Sequence, residues 1–209
     1  RDKILSCACH LYLEDGLDGF SMRKLAKQVG VTAPALYRHF ESREHVILDV
    51  IREAYREFIG ALYHALEGRT PLERFFMAGE AYLEFALKHP RWYELLFIAP
   101  GQLGMEALPE DLEAQGCGVH QFWVDRVREC MDEGILKEAD PIKTSLTMWA
   151  HAHGMLTLYH TGHFRMDEET FRAQFQESGA RMMRGVATDE FAAELTARYV
   201  ADELAGAEA

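Results

Sequence analysis

The sequence predicts an all-α fold: a small helical head at the N-terminus followed by a larger helical bundle. Three observations carry that expectation. Apolar residues recur at three- and four-residue spacing in nearly every segment, as on the buried stripe of a helix. No run alternates at period two, the mark of a half-buried strand. The 209 residues are 48% apolar and 27% charged, too apolar for a disordered tail and enough for one domain plus a small one.

The elements follow in order. Ile4, Ala8, Leu11 and Tyr12 mark a first helix ending near Asp15 and Gly16. Ser21 is placed to cap a short helix through Gln28, and Gly30 stops it as a left-handed C-cap. Thr32 caps a second short helix with Pro34 in its first turn, where a missing N–H costs little. Ser42 opens a long helix whose stripe of Ile47, Val50, Ile51, Ala54, Phe58 and Leu62 holds until Gly68. Pro71 starts the next, with Leu72, Phe75, Phe76, Leu83 and Ala86 facing inward as far as His89 and Pro90.

A short helix over residues 91–97 comes next. Pro100, Gly101, Gly104, Pro109, Gly116 and Gly118 then crowd one stretch, which reads as a loop holding one helical turn over residues 110–114. Val119, Phe122, Trp123, Val127, Cys130 and Met131 give a helix ending at Gly134. Pro141 begins a long apolar helix to Tyr159, residues 168–185 form another, and the tail from Asp189 to Leu204 reads as amphipathic helix. The expectation is about nine to ten helices, split into a head of residues 1–46 and a body of residues 47–209.

The net charge of −12 is unevenly placed. Residues 1–60 hold nine basic and nine acidic side chains, whereas residues 61–209 hold 13 basic against 25 acidic. Within residues 20–45, Arg23, Lys24, Lys27, Arg38 and Arg43 meet only Glu41 and Glu44. A basic patch on an acidic chain suits a localised phosphate contact, because Lys and Arg gain by releasing counterions while the remainder repels wrong docking. An ordinary solvated face carries similar charge, so charge alone does not decide. Four cysteines are too few for a stapled secreted scaffold, and the first residues carry no secretory leader pattern. No run of about 18 uncharged apolar residues exists to span a membrane. A reduced, cytoplasmic protein with no membrane partner is expected.

Function is carried by residues 21–40, where two helices too short to stand alone are joined at Gln28-Val29-Gly30-Val31. That is the helix-turn-helix pattern. Ala26 is small enough for close approach, Gly30 supplies the positive φ of the turn, and Val31, Leu36 and Phe40 are expected to seat the second helix on Leu25 and its neighbours. So seated, the second helix can lie in a major groove with its first residues toward base edges.

Phe20 to Val46, FSMRKLAKQVGVTAPALYRHFESREHV, resembles the DNA-binding domain of the TetR family of bacterial transcriptional regulators. The matching residues are Ala26, Gly30-Val31-Thr32, and Leu36-Tyr37-Arg38-His39-Phe40 followed by Ser42-Arg43-Glu44. They cover about residues 1–50, and helix number and length fit over the rest. Trp149, His153 and Gly154 also resemble the tryptophan and histidine-glycine pattern of one subgroup's C-terminal domain. Two positions depart: Arg43 stands where the family usually has Lys, and Met22 where it commonly has Thr.

The resemblance implies a homodimer that binds double-stranded operator DNA through two such heads. A ligand in the C-terminal domain would change their spacing and release the DNA, with repression the family default. Thr32, Ala33, Pro34 and Ala35 would then meet base edges, while Tyr37, His39, Ser42 and Arg43 would meet phosphates, the last two beside exposed N–H groups opening a helix. Leu36 and Phe40 belong to the core. Ala33, Pro34 and Ala35 offer no side-chain hydrogen bond, so methyl contacts with thymine and DNA shape would carry much of the discrimination.

The middle helices are rich in aromatic residues, most of them core. Their number, with Met77, Met105 and Met148, suits an apolar cavity with a few polar groups to orient a guest. Tyr82, Glu84, Trp92, Phe122, Trp123, Trp149 and His153 are the candidate ligand-binding residues, with Glu80 and His120 as further polar groups. Carboxylates facing the cavity would favour a cationic or hydrogen-bond-donating guest; otherwise a neutral apolar or aromatic compound, or an acyl chain, fits better. Residues 141–162 and 168–185 are candidates for a four-helix dimer interface, with small Ala150, Ala152, Gly154, Gly179 and Ala180 and apolar Met148, Met155, Leu156, Met182 and Met183.

Other classes find little support. His151 and His153 diverge on one helix, and a face of His153, His160 and His163 has no Cys or carboxylate fixed beside it, so no metal is expected. Cys7 and Cys9 form C-x-C, and no phosphate-cradling glycine loop, serine elbow or H-E-x-x-H run occurs, so neither a cofactor nor an enzyme is expected. The alternative kept open is a DNA-binding organiser whose C-terminal domain binds a protein partner rather than a small molecule.

Overall fold

The computed structural model describes residues 1–97 and 108–193. Among these the fold is all-α, with one isolated bridge between Leu136 and Ala187 and no strand. The helices are α1 (Asp2–Gly19), α2 (Met22–Val29), α3 (Ala33–Leu36), α4 (Arg43–Tyr63), α5 (Pro71–Lys88), α6 (Pro90–Phe97), α7 (Glu110–Asp132), α8 (Pro141–His160) and α9 (Glu168–Val186). A 3-10 turn at His64–Glu67 follows α4.

Two compact units contain them: Arg1–Leu66 with Ala78–Val119, and Glu67–Met77 with the chain from His120 onward. In the first unit the expected stripe of α4 is buried from Ile47 to Leu62. The Phe58 ring packs on Phe85 at 4.8 Å and edge-on against Phe97 at 5.6 Å. Tyr12 stacks on Trp92 at 6.0 Å and donates its hydroxyl to the Arg91 carbonyl at 3.1 Å, fixing α6 against α1. In the second unit Val127, Cys130, Leu136, Met148 and Met183 form a core, with Phe75, Met131 and Met182 around it. Arg126 and Arg74 converge on the Glu129 carboxylate there, at 2.6 Å and 3.0 Å.

Several sequence expectations are corrected. α1 does break at Gly16 (φ 67°, ψ −171°), but helical geometry resumes beyond the kink to Gly19. The glycine-rich stretch is not a loop from Pro109 onward, because α7 runs unbroken through Gly116 and Gly118. Each glycine costs a helix about 1 kcal/mol relative to Ala. Burial of Leu112 and the two-point pairing of Arg52 with Asp111, at 2.6 Å and 3.0 Å, hold that end of α7 in place. Gly116 also has a reason: a Cβ there would stand 3.2 Å from the Tyr55 hydroxyl.

Phe76, expected inside, is 47% exposed, and Met148, Leu156 and Met183 lie inside their own unit rather than on an open face. The exposed large apolar residues of α8 are Ile142, Leu146 and Leu158. Pro100, Gly101, Gly104 and Met105 lie outside the described residues, as does the expected tail helix beyond residue 193, of which residues 189–193 are helical.

Candidate nucleic-acid interface

The candidate interface lies wholly within the first unit and is built from α1 to α4. Ser21 Oγ accepts the Lys24 N–H at 3.3 Å and starts α2, whose Met22, Leu25, Ala26 and Val29 are buried. Met22 therefore works as core, which explains an apolar residue where a hydroxyl is usual. Gly30 takes φ 83°, and the N–H groups of Gly30 and Val31 both close on the Ala26 carbonyl, at 3.0 Å and 2.9 Å. That closure turns the chain and leaves Val31 42% exposed, so it does not help to seat the second helix as its position suggested.

Thr32 is the N-cap of α3, but its hydroxyl makes no capping bond. Only Ala33–Leu36 is regular helix; the His39 and Phe40 N–H groups then fold back on the Leu36 carbonyl at 2.8 Å and 3.0 Å. Leu36 and Phe40 are buried against the head, 0% and 3% exposed. Thr32, Pro34, Tyr37, Arg38 and His39 are exposed, and Ala33 and Ala35 half-buried.

Ser42 and Arg43 have structural duties. Ser42 Oγ accepts the His45 N–H at 3.2 Å and caps α4. The Arg43 guanidinium donates to two main-chain carbonyls at the end of α1, Nη2 to Leu17 at 2.6 Å and Nε to Phe20 at 3.1 Å. It also lies 6.0 Å from the Phe20 ring centroid, and its Nη1 is 3.7 Å from Glu44.

The candidate ligand residues divide between the units. In the first, Tyr82 and Trp92 are 2% and 7% exposed, Tyr82 lies 3.3 Å from the Tyr93 hydroxyl, and Glu84 pairs with Lys88 at 2.7 Å. In the second, Phe122 and Trp123 meet edge-on at 6.0 Å, and Trp149 stacks on His153 at 5.0 Å. The Thr157 hydroxyl is 3.5 Å from His153 Nε2, and burial holds that imidazole below the usual histidine range, leaving it neutral at pH 7. Among the described residues no group of three His, Cys, Asp or Glu is placed to hold a metal ion.

A bihelical unit seated by Leu36 and Phe40, with an exposed polar and cationic outer face, defines a DNA-binding protein of the helix-turn-helix class. Comparison with known proteins takes the assignment further. Residues 4–50 match the model of the bacterial regulatory proteins of the tetR family, and residues 75–184 match that of the tetracyclin repressor-like C-terminal domain. The chain belongs to the TetR family of transcriptional regulators, a family of regulators and not of enzymes.

The transcriptional repressor KstR2 of Mycolicibacterium smegmatis is 26% identical over 137 residues, which is 64% of this chain and 66% of that protein. The match thus spans just under two thirds of that relative's length. A protein of unknown function from Rhodococcus sp. RHA1 shares the fold with a TM-score of 0.77, at 24% identity over 90% of this chain and 95% of its own. AibR, solved in complex with isovaleryl coenzyme A and operator DNA, superposes with a TM-score of 0.62 at 16% identity, over 88% of this chain and 96% of its own. At these identities the two structural likenesses concern the fold.

Proposed function

We propose that this regulator is a ligand-responsive repressor, at work in the cytoplasm, that binds operator DNA as a homodimer and is released by a small apolar or aromatic effector. The head is assigned to residues 1–46 and the ligand-binding and dimerisation part to residues 47–209. The observation that carries the reading is the division of α3 and its following turn: Leu36 and Phe40 face the core while Thr32, Pro34, Tyr37 and His39 face out. Thr32, Ala33, Pro34 and Ala35 then approach base edges, and Tyr37 and His39 the phosphates.

Pairing of two copies is supported by α8, where Ile142 and Leu146, one turn apart, are 54% and 50% exposed on a helix that also carries small Ala150 and Gly154. The effector reading rests on Phe122, Trp123, Trp149 and His153, half-buried rings with one neutral imidazole among them. In the first unit, buried Tyr82 and Trp92 and half-buried Glu84, paired with Lys88, remain candidate ligand-binding residues. AibR supports the reading by analogy of fold, having been solved in complex with isovaleryl coenzyme A and operator DNA.

The test is a gel-shift titration of the purified protein on the DNA upstream of its own gene, repeated with a panel of apolar acids, acyl thioesters and aromatic compounds, beside a sedimentation measurement of mass. A shifted band that one compound abolishes, from a particle of twice the chain mass, is expected. A monomer that shifts no duplex would refute the proposal.

A further inference from the structure

The nine cations of residues 1–60 divide into two sets. Six have partners. Arg1 pairs with Asp49 at 2.7 Å, Lys3 donates to the Val29 carbonyl at 3.1 Å, and Lys24 reaches Asp15 at 2.7 Å. Arg43 holds the two carbonyls of α1, Arg52 holds Asp49 and Asp111, and Arg56 pairs with Glu53. Among the described residues the other three, Arg23, Lys27 and Arg38, are exposed and have no hydrogen bond, ion pair or ring contact. All three lie on the helix-turn-helix. Arg23 and Lys27 are four apart on α2, hence neighbours on one flank, beside the buried face of Met22, Leu25, Ala26 and Val29.

Arg38 has the more telling position. Leu36 and Phe40, four apart, fill the face that seats the segment. Pro34, in the first turn of α3, and Arg38, in the turn that follows it, are both exposed, outside the pair that seats the segment. A recognition helix enters the major groove with the side remote from its own core. Pro34 can offer only apolar contact there, and Ala33 and Ala35 only methyl groups, so Arg38 is the one side chain among them with a hydrogen-bonding fork. A guanidinium matches the O6 and N7 acceptors of guanine in two parallel bonds, which a lysine ammonium cannot reproduce.

We infer that Arg38 is a specificity-determining residue that reads a guanine in the major groove, with Arg23 and Lys27 gripping phosphates beside it and Arg43 holding the head together instead of the DNA. The inference rests on the proposed DNA-binding reading and sharpens it. Direct readout moves one turn past the residues that open α3, and methyl contact at Ala33, Pro34 and Ala35 becomes the secondary term.

The test begins with duplexes selected by the wild-type full chain from a randomised library. Affinities of wild type, Arg38→Lys and Lys27→Ala are then measured, over a range of salt, on the selected duplex and on an unrelated one of equal length. Arg38→Lys keeps the charge and is expected to lose about tenfold or more on the selected duplex while holding its affinity for the unrelated one. Replacing one guanine of the selected site by 7-deazaguanine is expected to weaken wild type and leave Arg38→Lys unchanged. Lys27→Ala is expected to weaken both duplexes alike and lower the salt slope by about one. If Arg38→Lys selects and binds the same sequence as wild type, with no guanine sensitive to N7 removal, the inference fails. If wild type enriches no sequence and binds no duplex, the DNA-binding reading itself has failed.

Discussion

Replacing Arg43 by alanine separates a structural cation from a DNA-gripping one. The substitution removes two hydrogen bonds from a charged donor to main-chain carbonyls, Nη2 to Leu17 at 2.6 Å and Nε to Phe20 at 3.1 Å. Bonds of this kind contribute roughly 1.5–3 kcal/mol each where water is excluded. The Arg43 side chain is 32% exposed, so water recovers part of that loss and a total of about 2 kcal/mol is expected. In a chain of this size each kcal/mol lowers Tm by roughly 2–4 °C, which gives a fall of roughly 4–8 °C. Thermal unfolding followed by circular dichroism reads that fall, and affinity for a fixed duplex across a salt series reads the phosphate contacts. Arg43→Ala is expected to lower Tm and to leave the slope of log affinity against log salt where it was, whereas Lys27→Ala does the reverse. An Arg43→Ala protein that melts within about 1 °C of wild type yet loses about one unit of salt slope would refute the structural assignment and return Arg43 to the phosphate-binding set.

Three further outcomes follow. At Gly30, φ is 83° with nothing within 4 Å of a built Cβ, so Gly30→Ala pays only for the left-handed backbone, about 1 kcal/mol by chemical denaturation, and Gly30→Asn less. In α7, Gly118 has open space where Gly116 faces the Tyr55 hydroxyl at 3.2 Å, so Gly118→Ala should gain up to about 1 kcal/mol of stability and Gly116→Ala clearly less; the opposite order would mean that the helix is not continuous there. In the second unit, burial raises the Glu129 pKa, but Arg126 and Arg74 outweigh it and hold the carboxyl below its ordinary value of 4.5. A depressed carboxyl contributes stability above its unfolded pKa and loses it as the pH falls through the folded one. Wild type should thus lose stability on acidification below about pH 4.5 more steeply than Glu129→Gln, as read from denaturation midpoints across pH.

Much of the fold was legible because burial writes itself in spacing. The stripe from Ile47 to Leu62 and the caps at Ser21, Gly30 and Ser42 are local features, and the structure has them at those residues. Failures came where a distant partner decides. The two glycines of α7 look like loop punctuation until Leu112, Asp111 and the Tyr55 hydroxyl are placed around them. Val31 looks like core by composition, yet closure of the turn on Ala26 sends it outward.

The cations of the head show the same limit more sharply. Arg43 and Arg38 are five apart; the family resemblance puts Arg43 and not Arg38 among the phosphate contacts, and nothing local in the sequence shows that Arg43 is already engaged. What separates them is that Arg43 finds two main-chain carbonyls, 26 and 23 residues away, where α1 ends. Helix ends expose acceptors that a five-donor fork can satisfy, and an arginine so occupied is poorly placed to release counterions from a phosphate. Arg38 finds no such acceptor, because Leu36 and Phe40 turn it away from the head that could supply one. Its freedom is therefore a product of the same packing that builds the turn. Side chains aimed away from the core by a seating pair at i and i+4 are the ones left to read an external partner, and in this head that geometry selects Arg38.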